Sequence, residues 1–378
     1  MTRELVKGFS DFSGEEARKR NEIKKIIAET FEKYGFEPAE TPVIEYEDFV
    51  KGENERDEAV RDVFKLQDRG KRKLALRYEF TFQLKRLAEN KKIPYKRYQI
   101  GYNFRDEPVR EGRKRQFVQC DADIVGSNVK DEAECLLMFK EIFERLKIKA
   151  VIYVNNRKLI NEILDKEGIV NKDREAIIRE IDKLDKLSEK EIMLNLKRLK
   201  ADSVLKIFKN KEKFFEKYDA YKEIKEWKDY CKVFGVDAVF RPFLARGFSY
   251  YNGSVFEVWS EKLKVAIGGG GSYMVNGVQS TGISFGLEPI MLIENLKSEK
   301  EKYLVVSLGK DKETIKLAQK LRERGEVVSI IYGKPSKALE YANSYGFNKV
   351  VFVGEKEIKS GKFKVKDMTS GKERKFSI

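Results

Sequence analysis

The sequence predicts an α+β protein: a domain built on an antiparallel sheet, a helical insertion that divides it, and a smaller C-terminal α/β domain. Three observations carry this reading. Arg97–Arg105 and Arg115–Gly126 alternate polar and apolar residues with a period of two, the pattern of antiparallel strands with two unlike faces. Residues 156–233 hold almost no glycine and carry charge patterning such as Lys211-Glu212-Lys213-Phe214-Phe215-Glu216-Lys217, which reads as helix. From Lys302 onward, short apolar runs alternate with helical spacings, which implies a small, mostly parallel sheet. The expected boundaries are 1–155 and 234–299 for the two parts of the sheet domain, 156–233 for the insertion and 302–378 for the tail.

In chain order, Ser13-Gly14-Glu15-Glu16 predicts a capping box, and Ile23, Ile26, Ile27, Phe31 and Tyr34 recur at helical spacing until Gly35. Thr41-Pro42-Val43-Ile44 is extended, with Pro42 confined to an edge or a strand start. A second helix is expected over Phe80–Asn90. In the two alternating strands, one face would present Tyr98, Ile100, Tyr102, Phe104, Val118, Cys120, Ala122 and Ile124. The other would present Arg97, Gln99, Gly101, Asn103, Arg105, Arg115, Phe117, Gln119, Asp121 and Asp123. Solvated faces favour Lys, Glu and Thr; arginines, amides and aspartates in one line are read as a pocket face. Asp106–Lys114 is short enough to close the pair as a hairpin with a long turn. After the insertion, strands are expected at Ala238–Phe240, Arg246–Tyr251, Val255–Trp259 and Val265–Ile267, and a helix with Leu287, Ile290, Met291 and Ile293 on one side. The four glycines Gly268–Gly271 allow close approach of backbone or ligand.

In the tail, strands are expected at Tyr303–Leu308, Val327–Ile331, Val350–Val353, Phe363–Lys366 and Arg374–Ile378, with helices at Thr314–Arg324 and Ser336–Tyr345. Residues 302–378 carry 18 basic and 9 acidic side chains, so much of the chain's net charge of +15 sits there. A compact basic α/β domain is where a polyanion contact is expected.

Composition narrows the chemistry. With no histidine, the chain supplies no imidazole, which excludes Ser-His-Asp and Cys-His nucleophile systems, HExxH zinc sites and histidine acid–base catalysis. Cys120, Cys135 and Cys231 form no CxxC pair, which argues against structural zinc and for a reducing compartment. No apolar stretch is long enough to span a bilayer, and Met1–Phe12 has no apolar signal core, so the expectation is a cytoplasmic protein without membrane contact. Gly268–Gly271 has neither dinucleotide-fingerprint spacing nor a following Gly-Lys-Ser/Thr. What remains is a sheet carrying Arg105, Glu107, Arg113, Arg115, Gln119, Asp123 and Arg246 near glycine-rich backbone. Arginine forks suit phosphates, and amides and carboxylates suit an amino group or ring N–H. Such a site fits a nucleoside triphosphate beside a small amine-bearing substrate, with catalysis by positioning and charge stabilisation.

Several motifs together resemble the class II aminoacyl-tRNA synthetases, and within them the histidyl-tRNA synthetases of the archaeal and eukaryotic kind, from Lys7 to the C-terminus. Glu40-Thr41-Pro42 is similar to motif 1, the dimer-forming element, and Leu76–Thr81 to a histidine-binding segment. Tyr102–Gly126 is similar to motif 2, and Leu244–Tyr251 to a signature peculiar to histidyl enzymes. The resemblance implies a class II α+β catalytic domain, an insertion touching the tRNA acceptor stem, and an anticodon-binding tail. It implies a homodimer acting on ATP, Mg2+, L-histidine and tRNA(His). It implies that Arg105, Glu107, Arg113, Phe117 and Glu288 serve ATP, Arg105 holding the α-phosphate. Glu79, Thr81, Gln119, Asp123, Tyr250, Tyr251 and Gly270 would serve histidine, and Arg246 would stabilise the transition state. Three departures stand out: Ser272 where the family has the arginine of Arg-Tyr-Asp, Pro289 where motif 3 has its ATP-binding arginine, and Ser249 where the signature has Asp. Loss of two nucleotide-facing arginines would cost several kcal/mol, at roughly 1.5–3 kcal/mol per charge-assisted bond. Two functions therefore stand at this point: an enzyme that activates histidine and charges tRNA, or a catalytically impaired relative that binds tRNA or histidine for regulation.

Overall fold

The structure, a computed structural model, describes residues 3–52, 62–169, 171–185, 187–247, 250–296 and 301–376. Ser249 and the end of the last expected strand lie outside these. The chain divides into two compact units, Met1–Asn295 and Leu296–Ile378.

The first unit opens with helix α1 (Gly14–Lys33), whose Ile23, Ile27 and Phe31 are fully buried. Ser13 stands at its N-cap but makes no capping hydrogen bond, because Gly14 adopts a left-handed φ of 58° and turns the chain out of capping-box geometry. Short strands β1 (Glu37–Pro38) and β2 (Ile44–Tyr46) follow, then α2 (Glu47–Lys51), β3 (Lys65–Gln67) and β4 (Lys73–Leu76). The expected second helix is α3 (Thr81–Leu87); it stops early, and Asn90 is left-handed at φ 62°. The hairpin strands are β5 (Tyr95–Phe104) and β6 (Gln116–Val125), followed by α4 (Val129–Arg145) and β7 (Ala150–Asn156). The insertion supplies α5 (Arg157–Lys166), α6 (Asn171–Ile181), α7 (Glu189–Arg198), α8 (Ser203–Phe208), a 3-10 turn (Glu212–Lys217) and α9 (Tyr221–Val233). The sheet resumes with β8 (Ala238–Phe240), β9 (Tyr251–Ser260), β10 (Ala266–Val275) and β11 (Val278–Gly286), and α10 (Leu287–Met291) closes the unit. Two expectations change here. The strand expected from Arg246 begins only at Tyr251, with Arg246 left-handed at φ 63°, and the four glycines lie inside the long strand β10.

Eight strands form one sheet in the order β1-β5-β6-β11-β10-β9-β7-β8. Its central pairs from β5 to β7 are antiparallel, as the alternation predicts. The apolar face packs on α1, α4 and α9, where Phe31, Phe139, Phe143, Phe256 and Phe285 interlock with ring centroids 5.4–6.2 Å apart. The insertion is a crossover between the parallel neighbours β7 and β8, and it has its own core, including Leu159, Ile163, Ile177, Leu205, Phe208, Phe215 and Ile224. A second sheet, β2-β4-β3, was not foreseen from the sequence.

The second unit has β12 (Lys302–Ser307), α11 (Asp311–Glu323), β13 (Val327–Tyr332), α12 (Pro335–Ser344), β14 (Lys349–Val353), α13 (Glu355–Ser360), β15 (Phe363–Asp367) and β16 (Glu373–Phe376). Its sheet order is β13-β12-β14-β15-β16, parallel for the first three strands and antiparallel for the last two. Among the described residues, no helix is long and apolar enough to cross a membrane.

Candidate active site

The polar positions of β5 and β6 lie deeper than a solvated face would: Arg97 and Asn103 are 0% exposed, Gln99 2%, Asp121 3% and Asp123 5%. Strand register turns them into rows running across the sheet. Arg97, Asp123, Gly282, Gly271 and Val255 form one row, and Gln99, Asp121, Ser284, Gly269 and Glu257 the next. Gly101, Gln119 and Gly286 form a third. The glycines are needed where charged side chains lie flat on the sheet. A Cβ on Gly282 would overlap the Asp123 carboxylate and come within 3.2 Å of the Tyr273 hydroxyl. One on Gly269 would come within 2.8 Å of the Arg246 guanidinium carbon.

Arg97 Nη2 lies 2.9 Å from Asp123 Oδ2, an ion pair too bent to count as a hydrogen bond. The Tyr273 hydroxyl donates to the other Asp123 oxygen. Burial pushes the Asp123 carboxyl upward, opposed by Arg97 and by the Tyr273 bond. The Asp121 carboxyl is pushed up more clearly, by burial first and then by the neighbouring Asp123 charge. Gln119 Nε2 donates to both Asp121 oxygens at 3.0 and 2.8 Å, and its Oε1 accepts from Asn103 Nδ2 at 3.0 Å. Its amide is thereby fixed in one orientation. Asn103 Oδ1, Arg97 Nε and Arg246 Nε are buried without a hydrogen-bond partner among the described residues. Native proteins leave few such groups unless a ligand completes them.

Aromatic rings stand over the first row. Tyr250, Tyr251 and Tyr273 pack with centroids 4.8, 5.6 and 6.4 Å apart. Burial and the nearby Glu79 charge raise the Tyr250 phenol well above its ordinary range, and its side chain is hydrogen-bonded with Thr81. Glu79 is itself 2% exposed, at the start of α3. Glu79, Thr81, Gln119, Asp123, Tyr250 and Tyr251 thus belong to one polar, aromatic-walled neighbourhood. Gly270 does not: the missing Cβ points to the Phe256 ring on the helix-covered face, while Gly269 and Gly271 open toward the polar face.

The arginines lie along the same face. Arg246 Nη1 sits 3.4 Å from Glu257 Oε1, and Glu257 is also held by Trp259 Nε1 at 2.9 Å. Arg105 donates from Nε to the Tyr78 carbonyl at 3.1 Å and rests 5.0 Å from the Phe117 ring centre, so its Nη groups are held at the mouth of the hairpin. In the loop, Arg113 Nη1 is 3.5 Å from Glu107 Oε2, and Arg115 pairs with Asp106 at 3.0 Å. Glu288 behaves differently. Its Oε1 receives Arg20 Nη2 at 2.7 Å and its Oε2 receives the Val118 amide at 3.0 Å, both buried, so this carboxylate ties α10 to α1 and β6.

The departures also find places. Ser272 faces the helix layer, where its hydroxyl donates to the buried Glu132 at 2.7 Å. It is therefore no lost nucleotide-facing charge. Pro289 packs against Gly112 at the tip of the hairpin loop, with Cα and Cγ 3.7 and 3.8 Å from where a Cβ would be.

Arg97, Asn103, Asp121, Glu257 and Tyr273 complete the site beyond the residues singled out from the motifs. The first three were legible as members of the polar alternation; Tyr273 was legible only as the tyrosine at the family's Arg-Tyr-Asp position, and Glu257 carried no signal beyond strand parity. The arrangement can hold a small cationic or N–H-bearing group over the carboxylate row and anionic oxygens between Arg246 and Arg105. No group of three acidic or cysteine side chains that could cage a metal gathers among the described residues.

Comparison with known proteins places the chain in a family. Residues 8–290 match the family model described as histidyl-tRNA synthetase, and residues 302–378 match one described as an anticodon binding domain. A histidine–tRNA ligase 1 of Bacillus cereus is 33% identical over 99% of this chain and 97% of its own length. The histidine–tRNA ligase of Nanoarchaeum equitans is 31% identical over 98% and 96%. The crystal structure of histidyl-tRNA synthetase from Nostoc sp. superposes with a TM-score of 0.86 at 23% identity, covering 100% of this chain and 97% of that one, a likeness of fold. The chain belongs to the histidyl-tRNA synthetase family.

Proposed function

We propose that the protein joins L-histidine to ATP to form histidyl-adenylate and then transfers the histidyl group to tRNA(His). The observation that carries this is the buried Arg97–Asp123 row, with Asp121 in the row beside it, under three tyrosines, and two arginines farther along the same sheet face. Carboxylates and an oriented glutamine suit the ammonium and ring N–H of histidine. In the first step a histidine carboxylate oxygen attacks the α-phosphorus, the new O–P bond forms, and pyrophosphate leaves with the electrons of the broken bond. Arg105 and Arg246 neutralise the charge that builds on the α-phosphate oxygens. Mg2+ supplies further neutralisation when ATP is bound; it would be held mainly by phosphates, which needs one or two protein carboxylates and no cage. In the second step the tRNA terminal hydroxyl attacks the activated carbonyl and AMP leaves. Neither step requires an imidazole from the protein.

Other features fit the same reading. The tail's surplus of basic side chains suits tRNA. The β2-β4-β3 sheet turns Ile44, Tyr46 and Leu66 outward at 49%, 57% and 39% exposure on one face, a surface that a second copy would cover in a homodimer. Three buried, unpaired cysteines suit a reducing cytoplasm. The test is histidine-dependent exchange of labelled pyrophosphate into ATP, together with charging of tRNA(His). Exchange that requires histidine and falls steeply, to a measurable residue, in Arg246→Ala supports the proposal. Tight tRNA binding with no exchange at saturating ATP would replace it with the regulatory reading.

A further inference from the structure

Residues 241–247 link edge strand β8 to the tyrosine pair and carry Arg246. The backbone of Arg246 is left-handed, with φ of 63°, a conformation that disfavours any residue with a Cβ and persists only when neighbours impose it. Those neighbours are specific. On one side Asn155 of β7 donates from Nδ2 to the carbonyls of Pro242 and Leu244, at 2.7 and 2.9 Å. On the other side stands the insertion. Asp182, directly after α6, accepts the amides of both Ala245 and Arg246 on one carboxylate oxygen, at 2.9 and 3.2 Å. Three residues on, Asp185 lies 3.4 Å from Arg241, whose guanidinium sits 3.3 Å over the Tyr153 ring. Ala245 itself is packed into the insertion's core.

The loop that aims Arg246 across Gly269 is therefore held by the sheet at the Pro242 and Leu244 carbonyls and by the insertion at the Ala245 and Arg246 amides. We infer that Asp182 is the positioning residue for Arg246, and that through it the helical insertion sets the working geometry of the arginine. A carboxylate gripping two consecutive amides fixes both the peptide plane and the direction in which the next side chain leaves. This rests on the role proposed above for Arg246.

The test compares Asp182→Ala, Asp182→Asn, Arg246→Ala and the double variant Asp182→Ala/Arg246→Ala in the full chain, by pyrophosphate exchange and thermal unfolding. Asp182→Ala is expected to lower kcat about 10- to 100-fold while KM for histidine and ATP moves less than about 3-fold, the split expected when a transition-state group is misaimed. Asp182→Asn keeps an acceptor oxygen in the same volume and is expected to recover most of kcat with an unchanged melting temperature. In the double variant the Asp182 change should add nothing to Arg246→Ala. Wild-type kcat in both Asp182 variants, or a full further loss in the double variant, would overturn the inference while leaving the role of Arg246 intact. A fully active Arg246→Ala would overturn both.

Discussion

Gly282→Ala tests whether the cleared row is a binding surface. The new Cβ would lie 3.0 Å from Asp123 Cγ and overlap the nearer carboxylate oxygen. Relaxed carbon contacts need about 3.5–4.0 Å, so the carboxylate must withdraw by roughly 0.5–1 Å. It has little freedom to do so, because Arg97 holds it from one side at 2.9 Å and Tyr273 from another. The displaced carboxylate can no longer meet the substrate squarely. Losing one hydrogen bond to a charged group costs about 1.5–3 kcal/mol, or roughly 10- to 150-fold in affinity. The expected result in pyrophosphate exchange is that rise in KM for histidine, with KM for ATP within about 3-fold of wild type. Gly70→Ala is the control, since its nearest neighbour would be an ordinary 3.4 Å away. A wild-type KM for histidine in Gly282→Ala would refute the assignment of Asp123 to the substrate.

Three further outcomes follow from the charges. Arg97→Met leaves Asp123 as a buried carboxylate without its cation, so unfolding free energy should fall by about 3–5 kcal/mol in denaturant titration; a change under 1 kcal/mol would show the pair to be dispensable. Because the Asp121 carboxyl is raised in the folded state, its ionisation destabilises the fold as pH rises from about 4 through the raised value. Asp121→Asn should therefore gain melting temperature relative to wild type at pH 8 and lose that advantage at pH 4–5; the reverse trend would contradict the direction of the shift. Glu288→Ala strands Arg20 in the interior, so stability should drop by about 3–5 kcal/mol while KM for ATP changes less than about 3-fold. A stable protein with a large rise in KM for ATP would restore Glu288 to the nucleotide.

The hairpin was legible because its polar side chains sit at every second position, and a sheet converts that spacing directly into one face. The tail was legible for the related reason that each buried strand is a short apolar run such as Val305-Val306 or Val350-Val351. Ser272 was not legible. It lies in a strand whose preceding four residues are glycines, which leave no alternation to count, and only the register with β11 shows that Gly269 and Gly271 share the polar face while Ser272 turns away. The structural ties of Glu288 were not legible because its partners, Arg20 and the Val118 amide, are 268 and 170 residues distant, beyond any local pattern. The grip of Asp182 on Arg246 is hidden in the same way, across 64 residues and a change of layer. The strands β2, β3 and β4 are three or four residues each, too short for periodicity to announce them.

The carboxylate row has a spectroscopic consequence. Since the chain contains no histidine, every imidazole resonance in a complex with histidine would come from the ligand. The ring protons and nitrogens of the bound amino acid could be followed by NMR in the unmutated protein, with no protein imidazole signal to subtract. Their chemical shifts would report which ring nitrogen keeps its proton against Asp123, and whether Asp121 and the ring exchange a proton as the pH is changed. In most proteins that question requires selective labelling; here the composition of the chain isolates the signal.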